Sequence, residues 1–467
     1  MFDVKPTSTP SHLEKLSRDL SLTLPTLLPA HFVRDAIAKA QLDFRVRVFS
    51  PVVTIYGMLI QVFCDDKSAR HAVALVKSMF AIRQAKTCSS KAASYIKAKM
   101  RLPLIFFRAL FDDVSALLEG SCPSAYRWKH GPVKIVDGTG FSMPDTKANL
   151  TRYPRYSRPP MRDTGFPVGR LLTVFSMTSG GIVDAVIGPC KGKGSGELSL
   201  LQQVWQSWKK GETLLGDSLF ASYWVVAKAA SRGIHVVAEF PRRQRAAIFK
   251  KKSADFFLTL YKPAQKSPCL SEAEYASLPS QITVRIVRLR CAPKGFRPTT
   301  KLILTTHLDC GIVTPDDILG LYKRRWQVEV NLRSIKIAMG MDILRSKSPE
   351  AIEREIWAYI IGYNIARLAM LRAAKLTKRL PEEISFRSAQ QAVGILLVGA
   401  ALGCHSPVIA QSLLQMVADS IVGQNPDRFE PRAIKRRKKN FAFLSEPREL
   451  SRRKLCKKHK RCKAQAA

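Results

Sequence analysis

Acidic residues are scarce in this 467-residue chain: Asp and Glu number 36 against 76 Lys and Arg, for a net charge of +40. So large a surplus of one sign needs an anion to face, and the simplest polyanion is nucleic acid. Long apolar runs are also missing. The two most apolar stretches, Val52–Phe63 and Ala392–Cys404, fall well short of the roughly 20 residues that span a bilayer. The mean hydropathy of −0.06 speaks against a polytopic membrane protein, and no basic amphipathic segment sits beside an anchor, which sets lipid aside as the anion. Closely paired cysteines are absent. The ten Cys are scattered, a chain of this size needs no disulfide staples, and a reducing compartment is expected. The opening Met1-Phe2-Asp3-Val4-Lys5-Pro6 lacks the regions of a secretory leader. Core-forming residues, by contrast, are plentiful at 46%, which excludes a disordered basic protein. The expectation is a folded cytoplasmic protein of about three domains that binds nucleic acid.

The charge is unevenly placed. Between Arg428 and Lys463 stand 16 basic and 3 acidic residues, a net of +13 that leaves +27 for segments with folded patterning. The tail has no apolar periodicity, so it is expected to be mobile without DNA and to bind phosphate without regard to sequence. Cys456, His459 and Cys462 lie close together there, but zinc needs four ligands and no fourth is near.

Residues 12 to about 120 read as helices. Ser50-Pro51 is an N-cap followed by Pro at the first helical position, and Arg101-Leu102-Pro103 breaks one helix and starts another. At residue 133 the pattern changes: Val133–Asp137, Leu171–Met177 and Ile182–Ile187 read as short buried strands. Glu197–Trp208 (helix), Thr213–Asp217 (strand), Ser222–Arg232 (helix) and Ile234–Phe240 (strand) follow, which indicates an α/β unit with a mixed sheet. From about 241 to 312 the chain reads as a β-rich insertion, with strands at Ile282–Leu289 and Lys301–Thr306. Thr314-Pro315-Asp316-Asp317 signals a helix start, and that helix is expected to reach about Gly340. Further helices cover Pro349 to about 422.

The run Gly192-Lys193-Gly194-Ser195-Gly196-Glu197 has neither the Lys-Ser/Thr pair of a phosphate loop nor dinucleotide-binding spacing, and reads as a flexible connection. Two acids stand out instead. Asp137 ends the strand Lys134-Ile135-Val136-Asp137, and Asp217 ends Leu214-Leu215-Gly216-Asp217. An acid at the end of a buried strand is costly unless something pairs with it, although capping of the next turn explains either one alone. The third group is on the helix from Pro315. At about 100° per residue, Tyr322, Arg325, Glu329 and Lys336 point within about 60° of one another. An i, i+4 pair accounts for Arg325 and Glu329, but not for a Tyr and a second cation on the same face.

These residues spell Tyr-x2-Arg-x3-Glu-x6-Lys, and in this the chain resembles the DDE transposases of bacterial insertion sequences, IS-four family. Val136-Asp137-Gly138-Thr139 resembles the family's first Asp block, Gly216-Asp217-Ser218-Leu219-Phe220 its second, and Tyr363-Asn364 a later helix block. The likeness covers about residues 45–375, though position 218 is Ser where many relatives have Arg, and the insertion contains no Trp. The resemblance implies a ribonuclease-H-like α/β fold with a β-rich insertion. The domains would then be a helical DNA-binding domain at 1–125, the core at 130–240 and 313–345, the insertion at 241–312, C-terminal helices at 346–425 and a basic tail at 426–467. It implies a catalytic triad of Asp137, Asp217 and Glu329 holding two Mg2+ ions, or Mn2+, with Tyr322, Arg325 and Lys336 on DNA. The partners would be double-stranded transposon ends and target DNA, bound by a homodimer in the bacterial nucleoid without any membrane. The rival expectations are a host nuclease of the same fold that does not join strands and an inactive DNA-binding remnant.

Overall fold

In the computed structural model, the described residues are 27–44, 47–82, 89–155, 165–241, 253–291, 299–402, 406–422, 446 and 448–465. Among the described residues five helices come first: α1 (Ala30–Lys39), α2 (Pro51–Phe63), α3 (Ala69–Ile82), α4 (Ala93–Arg101) and α5 (Leu104–Gly120). Their ends follow local chemistry. The Ser50 hydroxyl accepts from the Val53 N–H ahead of Pro51, and Pro103 separates α4 from α5 because it cannot continue the helix before it.

An eight-stranded sheet follows, in the order β3-β2-β1-β4-β5-β8-β7-β6. β1 (Val133–Ser142), β2 (Val168–Ser176) and β3 (Ile182–Pro189) form an antiparallel meander, with the short α6 (Lys147–Arg152) after β1. β4 (Thr213–Gly216) and β5 (His235–Glu239) then run parallel to β1. Each is reached by a crossover helix, α7 (Glu197–Gln203) and α8 (Tyr223–Ser231). This is the ribonuclease-H-like arrangement. The inserted strands β6 (Asp255–Tyr261), β7 (Gln281–Cys291) and β8 (Thr299–Thr305), with α9 (Glu272–Ser277) between β6 and β7, continue the same sheet through antiparallel pairing of β8 with β5.

Alternation along the strands divides the core in two. Ile135, Leu171, Phe175, Leu215 and Val237 face the helices of both chain ends. Their neighbours Val136, Leu172, Val174, Leu214 and Val236 face α7, α8 and the Trp205, Trp208 and Trp224 side chains. The first face is closed by α2–α5 together with α12 (Pro349–Thr377) and α13 (Phe386–Ala401); α14 (Pro407–Asp419) follows. Helix α12 is tied to the β2–β3 turn. Asn364 donates to the Ile182 carbonyl and accepts from its N–H, both at 2.8 Å, and the Tyr363 hydroxyl donates to the Gly180 carbonyl.

Three expectations need correction. β1 does not stop at Asp137: it runs to Ser142 because Gly138 and Gly140 pair with Leu172 and Arg170 of β2 instead of turning. The helical path from Pro315 is not uniform: α10 (Pro315–Lys323) gives way to a 3-10 turn at Arg324–Trp326, then α11 (Gln327–Arg333), then a π turn at Ser334–Ala338. The constant 100° step is thereby broken twice, tighter once and looser once. The tail is not wholly without structure: Arg448–Gln465 forms a helix, α15, since Arg, Lys, Leu and Ala are good helix formers even without an apolar stripe. Residues 423–445 lie outside the described residues, as do the side chains of His459 and Cys462.

Candidate active site

The register of β1 against β4 sets the site. Val133 pairs with Thr213, Lys134 with Leu214 and Ile135 with Leu215. Carried on by two residues, the same parallel register brings Asp217, the first residue past β4, beside Asp137 in the middle of β1. The two acids are held locally in similar ways: an Asp137 carboxylate oxygen accepts from the Gly138 N–H and an Asp217 oxygen from the Leu219 N–H, each at 2.8 Å. Asp217 thus also caps its turn.

The electrostatics are those of crowded acids. The Asp137 carboxyl is pushed up to about 6, first by burial, then by the charges of Glu197 and Asp217, against the lowering pull of the Gly138 N–H and of Arg325. Glu197 is raised as well, by burial and by Asp217, with Arg170 opposing. Helix α11 packs against β1. On the turn before it, Arg325 donates to Glu329 at 3.1 Å and lies 5.9 Å from the Tyr322 ring. The charges of Glu197, Asp217 and Arg325 thus all reach Asp137, and Arg325 in turn holds Glu329.

A family model described as "Transposase DDE domain" matches residues 128–365, about half of the chain and the whole span from β1 into α12. The chain belongs to this family. It is 24% identical over 354 residues to "Transposase InsG for insertion sequence element IS4" of Escherichia coli (strain K12), which covers 74% of this chain and 76% of that one. This transposase is of the IS4 type, as the Tyr-Arg-Glu-Lys spacing implies.

Other residues of the transposase motif fall differently. Tyr322 is only 5% exposed and its hydroxyl donates to Glu239 of β5 at 2.9 Å; Lys301 completes that knot, 3.2 Å from Glu239. Burial and the Glu239 contact raise the phenol further above its ordinary range. In the DNA-free protein the Tyr322 side chain is thus engaged by Glu239 and lies against Arg325. Lys336 is half-buried on the π turn, with no ion pair among the described residues. Trp326 stands 62% exposed beside the Arg325–Glu329 pair. Glu197 was passed over in the sequence as the start of an ordinary helix. The signal that points to it is the glycine after Asp137, whose reason becomes visible only once α7 is folded over β1.

Among the described residues no three His, Cys, Asp or Glu side chains stand close enough together to hold one ion. The donor chemistry nevertheless fits a hard divalent cation: the group offers carboxylate oxygens alone, and their mutual repulsion is relieved by positive charge between them. No helix among the described residues is long and apolar enough to cross a membrane.

Proposed function

We propose that the protein binds the ends of an insertion sequence as a homodimer in the bacterial cytoplasm and catalyses metal-dependent cleavage and strand transfer of the element's DNA. The observation that carries this reading is the parallel β1–β4 pairing that sets Asp137 beside Asp217, with the Arg325–Glu329 turn packed over β1. Asp137, Asp217 and Glu329 are the residues that would hold two divalent cations, Mg2+ or Mn2+. When bound, such ions activate the attacking oxygen and neutralise charge on the phosphate and the leaving oxygen.

The remaining work belongs to the chain's own side chains. Partial burial of Asp137 disfavours its charged form in the free protein, which a bound cation would reverse. Arg325 holds Glu329 in the free protein, and its planar fork suits a phosphate next to the scissile bond as Glu329 turns inward. Tyr322 fixes the face of Arg325. Lys336 supplies a second positive charge for the DNA backbone, and the +40 surplus draws the duplex in.

The test is cleavage of a duplex bearing the element's end in Mg2+. Asp137→Asn, Asp217→Asn and Glu329→Gln each abolish cleavage while retaining end binding in metal-free buffer. Cleavage at the wild-type rate by any of the three removes that residue from the site.

A further inference from the structure

The glycine run before α7 has no role in the reading so far, yet it delivers a side chain into the acidic group. Glu197 opens α7, and its carboxyl lies directly over Gly138. A Cβ built on Gly138 would stand 2.6 Å from both Cδ and Oε1 of Glu197, so only glycine at 138 leaves that carboxyl its place. The strand residue after Asp137 is the floor on which Glu197 rests.

The opposite side is fixed by Arg170 of β2. Its Nε is 3.9 Å from Glu197 Oε1, and its Nη1 donates to the Ser195 carbonyl at 3.1 Å. One guanidinium thus holds both the loop and the acid. The loop folds back on itself with the Ser195 hydroxyl on the Gly192 carbonyl at 2.7 Å, and Gly192 and Gly194 take φ of +112° and +78°, conformations that an L side chain resists. An acid in a first turn has an ordinary use, to face the positive end of the helix dipole. That use is met by an exposed carboxylate and does not require one seated on the β1 backbone next to Asp137.

Resting on the reading proposed for Asp137 and Asp217, we infer that Glu197 is a fourth carboxylate of the same centre and, with Asp137, a ligand of one of its divalent cations. Arg170 balances the charge of Glu197 in the free protein and keeps the carboxyl poised over Gly138. The glycine run is what lets α7 begin close enough to β1 to deliver it.

The experiment is Mn2+ binding to the full-length, DNA-free protein, followed by the electron paramagnetic resonance of the free ion. Glu197→Gln lowers Mn2+ affinity about tenfold or more with an unchanged melting temperature. Gly138→Ala, which drives the carboxyl off its seat, does the same in the wild-type background and adds nothing in a Glu197→Ala background. Wild-type Mn2+ affinity in both Glu197→Gln and Gly138→Ala, with loss in Asp137→Asn, overturns this inference and leaves the triad standing. Unchanged binding in Asp137→Asn as well overturns both. A lowered melting temperature with intact Mn2+ binding makes Glu197 a structural residue and also overturns it.

Discussion

At the scale of single residues, the structure separates charges that serve the site from charges that hold the fold. Arg285 of β7 is the clearest of the second kind. Its side chain is fully buried, while Asp255 of β6, which it meets with two hydrogen bonds at 2.8 and 2.6 Å, is 25% exposed. The third guanidinium contact is to the Val313 carbonyl at 2.6 Å. Removing the partner of a buried charge costs about 3–5 kcal/mol, and less when the group left behind can reach water. Asp255→Ala is therefore expected to destabilise more than Arg285→Met, as read by urea unfolding; equal losses would mean that the pair is solvated. Nothing in the alternating pattern of β7 marked Arg285 as internal. Period-two spacing says which residues share a face, but not which face accepts a cation, because that depends on a carboxylate that comes from another strand.

At the scale of elements, the succession of strands and helices and several helix ends were largely legible because they rest on local chemistry: caps at Ser50 and Thr314, the break at Pro103, buried β-branched runs. Less legible was whatever depends on a neighbour. The continuation of β1 through Gly138 and Gly140 reads as a turn until β2 is laid beside it, and the π turn at Ser334–Ala338 packs against α12 and α13, which come later in the chain. The two Asp blocks and the Tyr-Arg-Glu-Lys spacing were readable, whereas Glu197 was not, since its meaning comes from the strand that it covers. Helix α12 gives a test at this scale. Asn364 bonds both backbone groups of Ile182 inside the core; the carbonyl also accepts from the Ser115 hydroxyl, so Asn364→Ala orphans the N–H, at a cost of about 1–3 kcal/mol. Asn364→Ala is expected to lower thermal stability accordingly and to loosen hydrogen-exchange protection of the β2–β3 turn first. Protection lost uniformly, or not at all, would remove the clamp from the account.

At the scale of the whole molecule, two properties follow from charge. His307 is buried against His235, with ring centroids 3.8 Å apart, and accepts or donates a hydrogen bond with Thr213 at 3.1 Å. Burial, followed by the nearby His235, His130 and Arg285, lowers its pKa to about 3 from an ordinary 6.5. Between those values the unfolded chain binds the proton and the folded one does not, so stability is full above about pH 6.5 and declines as pH falls below it. A His307→Gln variant is expected to flatten that slope in unfolding titrations between pH 4 and 7; an unaltered slope would place the titrating group elsewhere. The second property is the basic tail. Deleting residues 428–463 removes a net +13 and is expected to weaken binding to random duplex and reduce its salt dependence, leaving the cleavage position unchanged; lost discrimination between a cognate end and a random duplex would mean that the tail reads sequence. The central claim, that the acids gathered on β1, β4 and the Arg325–Glu329 turn perform transposition, is tested most directly by strand joining. A pre-cut element end with a free 3′-hydroxyl is incubated with supercoiled plasmid and Mg2+, and covalent end–plasmid products are counted. Joined products are expected for the wild type and none for Asp137→Asn, Asp217→Asn or Glu329→Gln. Hydrolysis without joining by the wild type, or joining by the triad variants at the wild-type rate, would contradict that claim.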